Sequence, residues 1–130
     1  MKILIVEDND YKFKDIENAL HSCGETDIAR NCCRNGALLE LAIAEEENRM
    51  YDLVVLDMQL PRYDGNYEIS KKAGMETLRE IKRRRYKTSI AFCSSEPVDC
   101  EDTIMNILYD SSAYLTPIVQ ELLVLVSENK

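Results

Sequence analysis

Apolar runs of strand length alternate along the chain with stretches of helical period, a pattern that predicts a parallel sheet covered by helices. The first strand should run from Lys2 to Val6. A helix follows, with Phe13, Ile16, Leu20 and Cys23 on one face and Gly24 as its stop. A weaker strand lies near Asp27 to Cys32, and a second helix from about Gly36 to Asn48 carries Leu38, Leu41 and Ala42 as its apolar stripe. Leu53-Val54-Val55-Leu56 is the clearest strand, because a continuous apolar run before a turn signal suits a central strand buried on both faces. It ends at Asp57.

After Pro61 the pattern lapses from Arg62 to Ala73, a polar stretch containing Asp64-Gly65 that is longer than an ordinary connection and reads as a functional loop. Met75, Leu78 and Ile81 resume a helical period. Ser89 to Cys93 reads as the fourth strand, Cys100, Ile104 and Ile107 mark a fourth helix, and Ala113-Tyr114-Leu115 forms a short fifth strand. Ile118, Leu122, Leu125 and Val126 give a fifth and final helix. The expected fold is therefore α/β and doubly wound, with five parallel strands in the order 2-1-3-4-5 flanked by five helices.

Composition narrows the function classes. A chain of 130 residues, 45% apolar and 31% charged, suits one soluble domain over residues 1–130. Its net charge of −8 repels nucleic acid and anionic membranes, so neither is expected as a direct partner. The basic run Lys82-Arg83-Arg84-Arg85 reads as a solvated helix end whose cations complement the helix dipole. The apolar N-terminus turns acidic at Glu7, too early for a signal peptide, and no apolar run is long enough to span a bilayer, so a cytoplasmic location is expected. Five cysteines without C-x-x-C spacing and a single histidine, His21, give a zinc site no support.

In an open α/β sheet, ligands bind beyond the carboxyl ends of the strands, where strand order reverses. The first strand delivers Glu7 and Asp8 to that edge and the third delivers Asp57, so three carboxylates should converge. Like charges this close raise one another's pKa unless a cation sits among them, and a hard divalent cation such as Mg2+ is the natural answer. Asp8 and Asp57 would bind it directly, and Glu7 directly or through water. An aspartate beside such a metal can act as a nucleophile toward phosphorus, which makes Asp57 the candidate phosphoacceptor. Ser94, at the end of the fourth strand and followed by Ser95, offers a hydroxyl to a phosphoryl oxygen.

These residues resemble the receiver domain of two-component response regulators, a flavodoxin-like fold typified by CheY. The resemblance rests on Ile3-Leu4-Ile5-Val6-Glu7-Asp8, on Tyr51-Asp52-Leu53-Val54-Val55-Leu56-Asp57-Met58-Gln59-Leu60-Pro61 and on Ser94, and it spans residues 1–126. It implies Mg2+ on Asp8, Asp57 and the backbone carbonyl of Gln59, a histidine kinase or phosphotransfer partner, and phosphorylation of Asp57 that reshapes the surface around the fourth and fifth strands. It also implies self-catalysed phosphotransfer and dephosphorylation rather than conventional enzyme turnover, a downstream protein partner, and pairing into a homodimer through the fourth helix and fifth strand.

Two positions depart from the family pattern. The family ends its fifth strand with a lysine before a proline, and here Thr116 precedes Pro117, so the charge that bridges acyl phosphate to switch is missing unless another cation, such as Lys71 or Lys72, replaces it. Ala113 falls where the family has its switch aromatic, with Tyr114 one place later. The family's glycine after the acceptor motif is Gly65 or Gly74, and the latter choice makes residues 62–73 a loop insertion at the pocket mouth. The expected function is a stand-alone phosphoacceptor receiver. Its alternative is a degenerate receiver acting as a phosphorylation-independent interaction module. A flavodoxin-like cofactor binder fits poorly, since Glu7-Asp8-Asn9-Asp10 would repel a flavin phosphate, and a haloacid-dehalogenase-like phosphatase requires a D-x-D where Asp57 is followed by Met58-Gln59.

Overall fold

A computed structural model describes residues 1–66, 68–111 and 113–129 of the chain. In chain order the elements are β1 (Lys2–Val6), α1 (Asp10–Ser22), β2 (Asp27–Asn31), α2 (Arg34–Glu46), β3 (Leu53–Leu56), β4 (Leu60–Pro61), β5 (Ile69–Ser70), α3 (Ala73–Arg83), β6 (Ser89–Ser94), β7 (Met105–Leu108) and α4 (Thr116–Glu128). Five of the strands pair in parallel in the order β2-β1-β3-β6-β7, which is the expected 2-1-3-4-5 order of the main sheet. β3 lies between β1 and β6, with Leu56 opposite Val6 on one side and Phe92 on the other.

Side-chain alternation divides the core into two layers. Ile3, Ile5, Val55, Ala91, Cys93 and Ile107 face α1 and α4, whereas Leu4, Val6, Val54, Leu56, Ile90 and Phe92 face α2 and α3. Local chemistry sets the helix ends. The Asn9 side chain accepts the Lys12 amide at the start of α1, and Gly24, at φ +88°, follows its C-cap in the left-handed region that closes a helix. Cys33 Sγ accepts the Gly36 amide at the start of α2, and a proline occupies the first turn of α4.

The second half of the chain corrects two expectations. Among the described residues there are four helices, not five: the segment expected to be a fourth helix through Cys100, Ile104 and Ile107 is a connection over residues 95–104 followed by β7. Cys100 packs toward the α2 and α3 layer while Ile107 points into the opposite one, so the two residues never shared a helix face. Side-chain hydrogen bonds replace helical ones here: Asn106 Nδ2 donates to the Cys100 carbonyl at 2.9 Å, and the Thr103 hydroxyl lies 2.7 Å from Asn106 Oδ1. The fifth strand of the sheet is consequently β7, and Ala113-Tyr114-Leu115 is not a strand. Ala113 and Tyr114 are exposed, and Leu115 caps α4 while filling the α1 and α4 core layer.

Residues 62–73 also carry structure. β4 and β5 pair antiparallel, Leu60 opposite Ser70 and Pro61 opposite Ile69, forming a small hairpin after β3. Tyr67 in that segment lies outside the described residues. At its far end Gly74 donates its amide to the Met58 carbonyl at 3.0 Å, closing the segment onto the residues beside Asp57.

Candidate functional site

The pairing of β1 with β3, and with β2 on its other side, continues one step past the strands. Asp57 donates its amide to the Val6 carbonyl at 3.2 Å, while Glu7 donates to the Asn31 carbonyl at 3.0 Å. Those bonds aim consecutive residues of two adjacent strand ends at one place. Carboxylate oxygens of Glu7, Asp8 and Asp57 there all lie within 4.8 Å of one another. Arg30 on β2 steadies this edge, donating from Nε to the Glu7 carbonyl at 3.1 Å and stacking over Phe13.

A cation enters the cluster from α1. Lys12 Nζ lies 2.8 Å from Glu7 Oε1 and 3.2 Å from Asp57 Oδ1, and Lys12 is only 4% exposed. Burial pushes the Glu7 carboxyl up to about 7, with Lys12 opposing the rise. Asp57 is raised for the same reason and is likewise opposed by Lys12. Burial alone would lower the Lys12 ammonium, but Glu7 and Asp57 outweigh it and leave it above the usual lysine value. Three carboxyl groups face one ammonium, so even with Glu7 partly protonated near neutral pH an excess of negative charge is left. With oxygen-only donors, that surplus matches the needs of a hard divalent cation, so the residues present fit a metal.

The cavity over this cluster, about 260 Å³, is lined by Glu7, Asp8, Lys12, Asp57, Gln59 and Ser95 together with Asn9, Ile69 and Tyr109. Gln59 donates its amide toward Asp57 Oδ1 at 3.4 Å. Ser94 is buried at the end of β6 and its Oγ accepts the Glu96 amide at 3.3 Å, while its neighbour Ser95 faces the cavity. Thr116 is placed elsewhere. β7 already ends at Leu108, so Thr116 opens α4, and its carbonyl lies 3.9 Å from Cys23 Sγ beside a different cavity lined by Asp15, Asn18 and Ala19. Lys71 and Lys72 are both exposed and do not line the site.

The residue that follows the fifth sheet strand is thus Tyr109, whose amide donates to the Ser94 carbonyl at 2.7 Å. Its ring lies 5.5 Å from Lys12 Nζ and its hydroxyl donates to Asp15 of α1. Burial, together with that carboxylate partner, pushes the phenol up to about 12. Neither Lys12 nor Tyr109 was picked out from the sequence. A signal for Lys12 was nonetheless present: it stands four residues before Ile16 and eight before Leu20, on the inward stripe of the helix, where a lysine has no reason to be unless something there is negative. Tyr109 carried no such signal, because its place depends on where the last strand begins.

The hairpin side of the site is held by charge. Arg62 forks onto Glu76, with Nε to Oε1 at 3.0 Å and Nη2 to Oε2 at 3.1 Å, and Arg34 reaches the same carboxylate at 2.7 Å. The hydrogen bonds from Arg62 chiefly, then those from Arg34, hold the Glu76 carboxyl down to about 2. Since the folded value lies below the unfolded one, this stabilisation is present above the ordinary carboxylate range and is lost as pH falls toward 2. Glu76→Gln is expected to flatten the acid limb of stability, compared as urea midpoints at about pH 6 and about pH 3. A variant as acid-sensitive as the wild type would show that the pair contributes nothing.

The profile of the response regulator receiver domain matches residues 3–116. The chain belongs to that family. Receiver domains of two-component signalling are also what its fold resembles among solved structures. A CheY-like receiver domain protein from Methanospirillum hungatei superposes with a TM-score of 0.71 at 15% identity, covering 98% of this chain and 94% of that one. The N-terminal domain of a response regulator/sensory box/GGDEF protein from Carboxydothermus hydrogenoformans gives 0.65 at 22% identity, covering 98% and 95%. The phosphorylated cyanobacterial phytochrome response regulator RcpA gives 0.67 at 24% identity, covering 93% and 89%. No curated protein sequence matches the chain. Among the described residues of this receiver, no helix is long and apolar enough to cross a membrane.

Proposed function

We propose that this receiver accepts a phosphoryl group on Asp57 in a Mg2+-dependent reaction and signals through protein contacts. The observation that carries the reading is the convergence of Glu7, Asp8 and Asp57 oxygens within 4.8 Å at adjacent strand ends. Asp8 and Asp57, with Glu7 and the Gln59 carbonyl beside them, would hold the ion, which supplies charge neutralisation and alignment for the transferring group. An Asp57 carboxylate oxygen attacks phosphorus and forms an O–P bond while the donor's bond to phosphorus breaks, its electron pair leaving with the donor. A histidine kinase or phosphotransfer protein is the proposed donor, and Ser94, with Ser95 beside it on the cavity wall, would offer a hydroxyl to a phosphoryl oxygen. β5 puts Ile69 at the rim of the cavity, and the segment 62–73, read as an insertion, would gate access to it.

The test uses acetyl phosphate, with acetate as the leaving group. With Mg2+ present, intact mass is expected to rise by one phosphoryl group in the wild type and not in Asp57→Asn. Absence of an adduct together with absence of Mg2+ binding would leave the alternative, a phosphorylation-independent interaction module. One observation favours that alternative: Asp57 already has an internal ammonium partner in Lys12.

A further inference from the structure

We infer that Lys12 is the cation that holds the phosphoryl group on Asp57, so that α1 and Tyr109 report phosphorylation in this chain instead of Thr116. The inference rests on the Asp57 acceptor reading and goes beyond it by assigning the recognition of the phosphoryl group. Lys12 is the only lysine or arginine lining the cavity among its described residues, and it touches Asp57 Oδ1 at 3.2 Å. The end of the fifth sheet strand, which could have supplied a cation, supplies Tyr109.

Charge movement gives the mechanism. In the free carboxylate the negative charge sits on the oxygens that face Lys12. Once Asp57 is esterified by phosphorus, the carboxyl is a neutral acyl group, and the charge, now larger, resides on the phosphoryl oxygens. The ammonium loses its partner on Asp57 and gains a stronger one a bond length away. It has three N–H donors and meets two carboxylates, neither in a well-aligned hydrogen bond among the described residues, so it can turn to the phosphoryl group without abandoning Glu7. Lys12 keeps its proton throughout, and its contribution is electrostatic.

The same turn of α1 carries the readout. Asp15 lies three residues beyond Lys12 on the helix and accepts the Tyr109 hydroxyl, while the Tyr109 ring faces Lys12 Nζ at 5.5 Å. A shift of the ammonium therefore alters the ring contact, one of the two that hold Tyr109 against α1. The signal leaves the pocket between α1 and the end of β7.

The experiment follows the Lys12 side chain directly in protein carrying 13C-lysine. On adding acetyl phosphate and Mg2+, the Lys12 Cε–Hε resonance, assigned by its loss in Lys12→Arg, is expected to move in the wild type and to stay in place in Asp57→Asn. By intact mass, Lys12→Met is expected to take up the phosphoryl group about tenfold more slowly, and Lys12→Arg to recover part of that rate. If the wild type forms no adduct, the acceptor reading itself fails. If the adduct forms while the Lys12 resonance is unmoved, or if Lys12→Met is phosphorylated at the wild-type rate, the acceptor reading stands and the role of Lys12 is overturned. The resonance arm decides even where Lys12→Met does not fold.

Discussion

Gly74→Ala should unfold or badly distort the protein around Asp57, although alanine is the better helix former. A Cβ built on Gly74 lies 2.2 Å from the Asp57 carbonyl oxygen and 2.6 Å from the Met58 Cα, both backbone atoms that cannot rotate away. Gly74 belongs to the first turn of α3, where alanine would ordinarily gain up to about 1 kcal/mol in helix propensity. The overlap outweighs that gain, since overpacking a tight site costs about 1–3 kcal/mol and more when backbone must move. What moves is the loop that presents Asp57, so phosphoryl uptake should fall with stability. Gly65→Ala is the informative control. Gly65 has a φ of +76° but, among the described residues, nothing within 4 Å of its missing Cβ, so alanine there carries chiefly backbone strain, about 1 kcal/mol or somewhat more. Urea midpoints for the two variants are expected to differ clearly, and equal midpoints would refute the claim that Gly74 is required by close approach.

Phe92→Ala should cost about 3–5 kcal/mol, the range for emptying a fully buried aromatic site. Phe92 is completely buried on β6, opposite Leu56 of β3 in register, within the layer under α2 and α3. Against a typical total of about 5–15 kcal/mol, that loss leaves the fold marginal. Its reach extends to the site, because Leu56 immediately precedes Asp57 and Phe92 stands two residues before Ser94. Phe92→Leu, which keeps most of the volume, should retain most of the stability. Chemical denaturation measures both, and a Phe92→Ala midpoint near wild type would mean that the layer collapses into the space.

The first half of the fold was legible because its patterns were long and unmixed. Ile3 to Val6 of β1 and all of β3 are apolar runs buried on both faces, and α1 shows its stripe over thirteen residues with a cap at each end. Glu7, Asp8 and Asp57 were found for the same reason, since each follows directly from where such a strand ends. The region after β6 was misread because its signals are short. Cys100, Ile104 and Ile107 have helical spacing, yet Met105-Asn106-Ile107 also alternates, and a few residues cannot distinguish the two periods. Thr116 was singled out because it precedes Pro117 where the resembled family has its lysine, and with β7 ending at Leu108 it opens α4 instead of ending a strand.

What the sequence determined by itself is the pair of central strands and the acidic edge: continuous apolar strands must be central, and acidic residues just past their ends must meet there. Only the tertiary structure decided which cation answers those acids. A lysine on an inward helix stripe is a local contradiction until the helix is docked on the sheet, and docking alone sets its Nζ 2.8 Å from Glu7. The identity of the last strand was decided the same way, by the burial of Ile107 against the α1 and α4 layer, a contact between residues far apart in the chain. The acidic edge was thus written in local pattern, while the ammonium that answers it came from long-range packing, which no local period encodes.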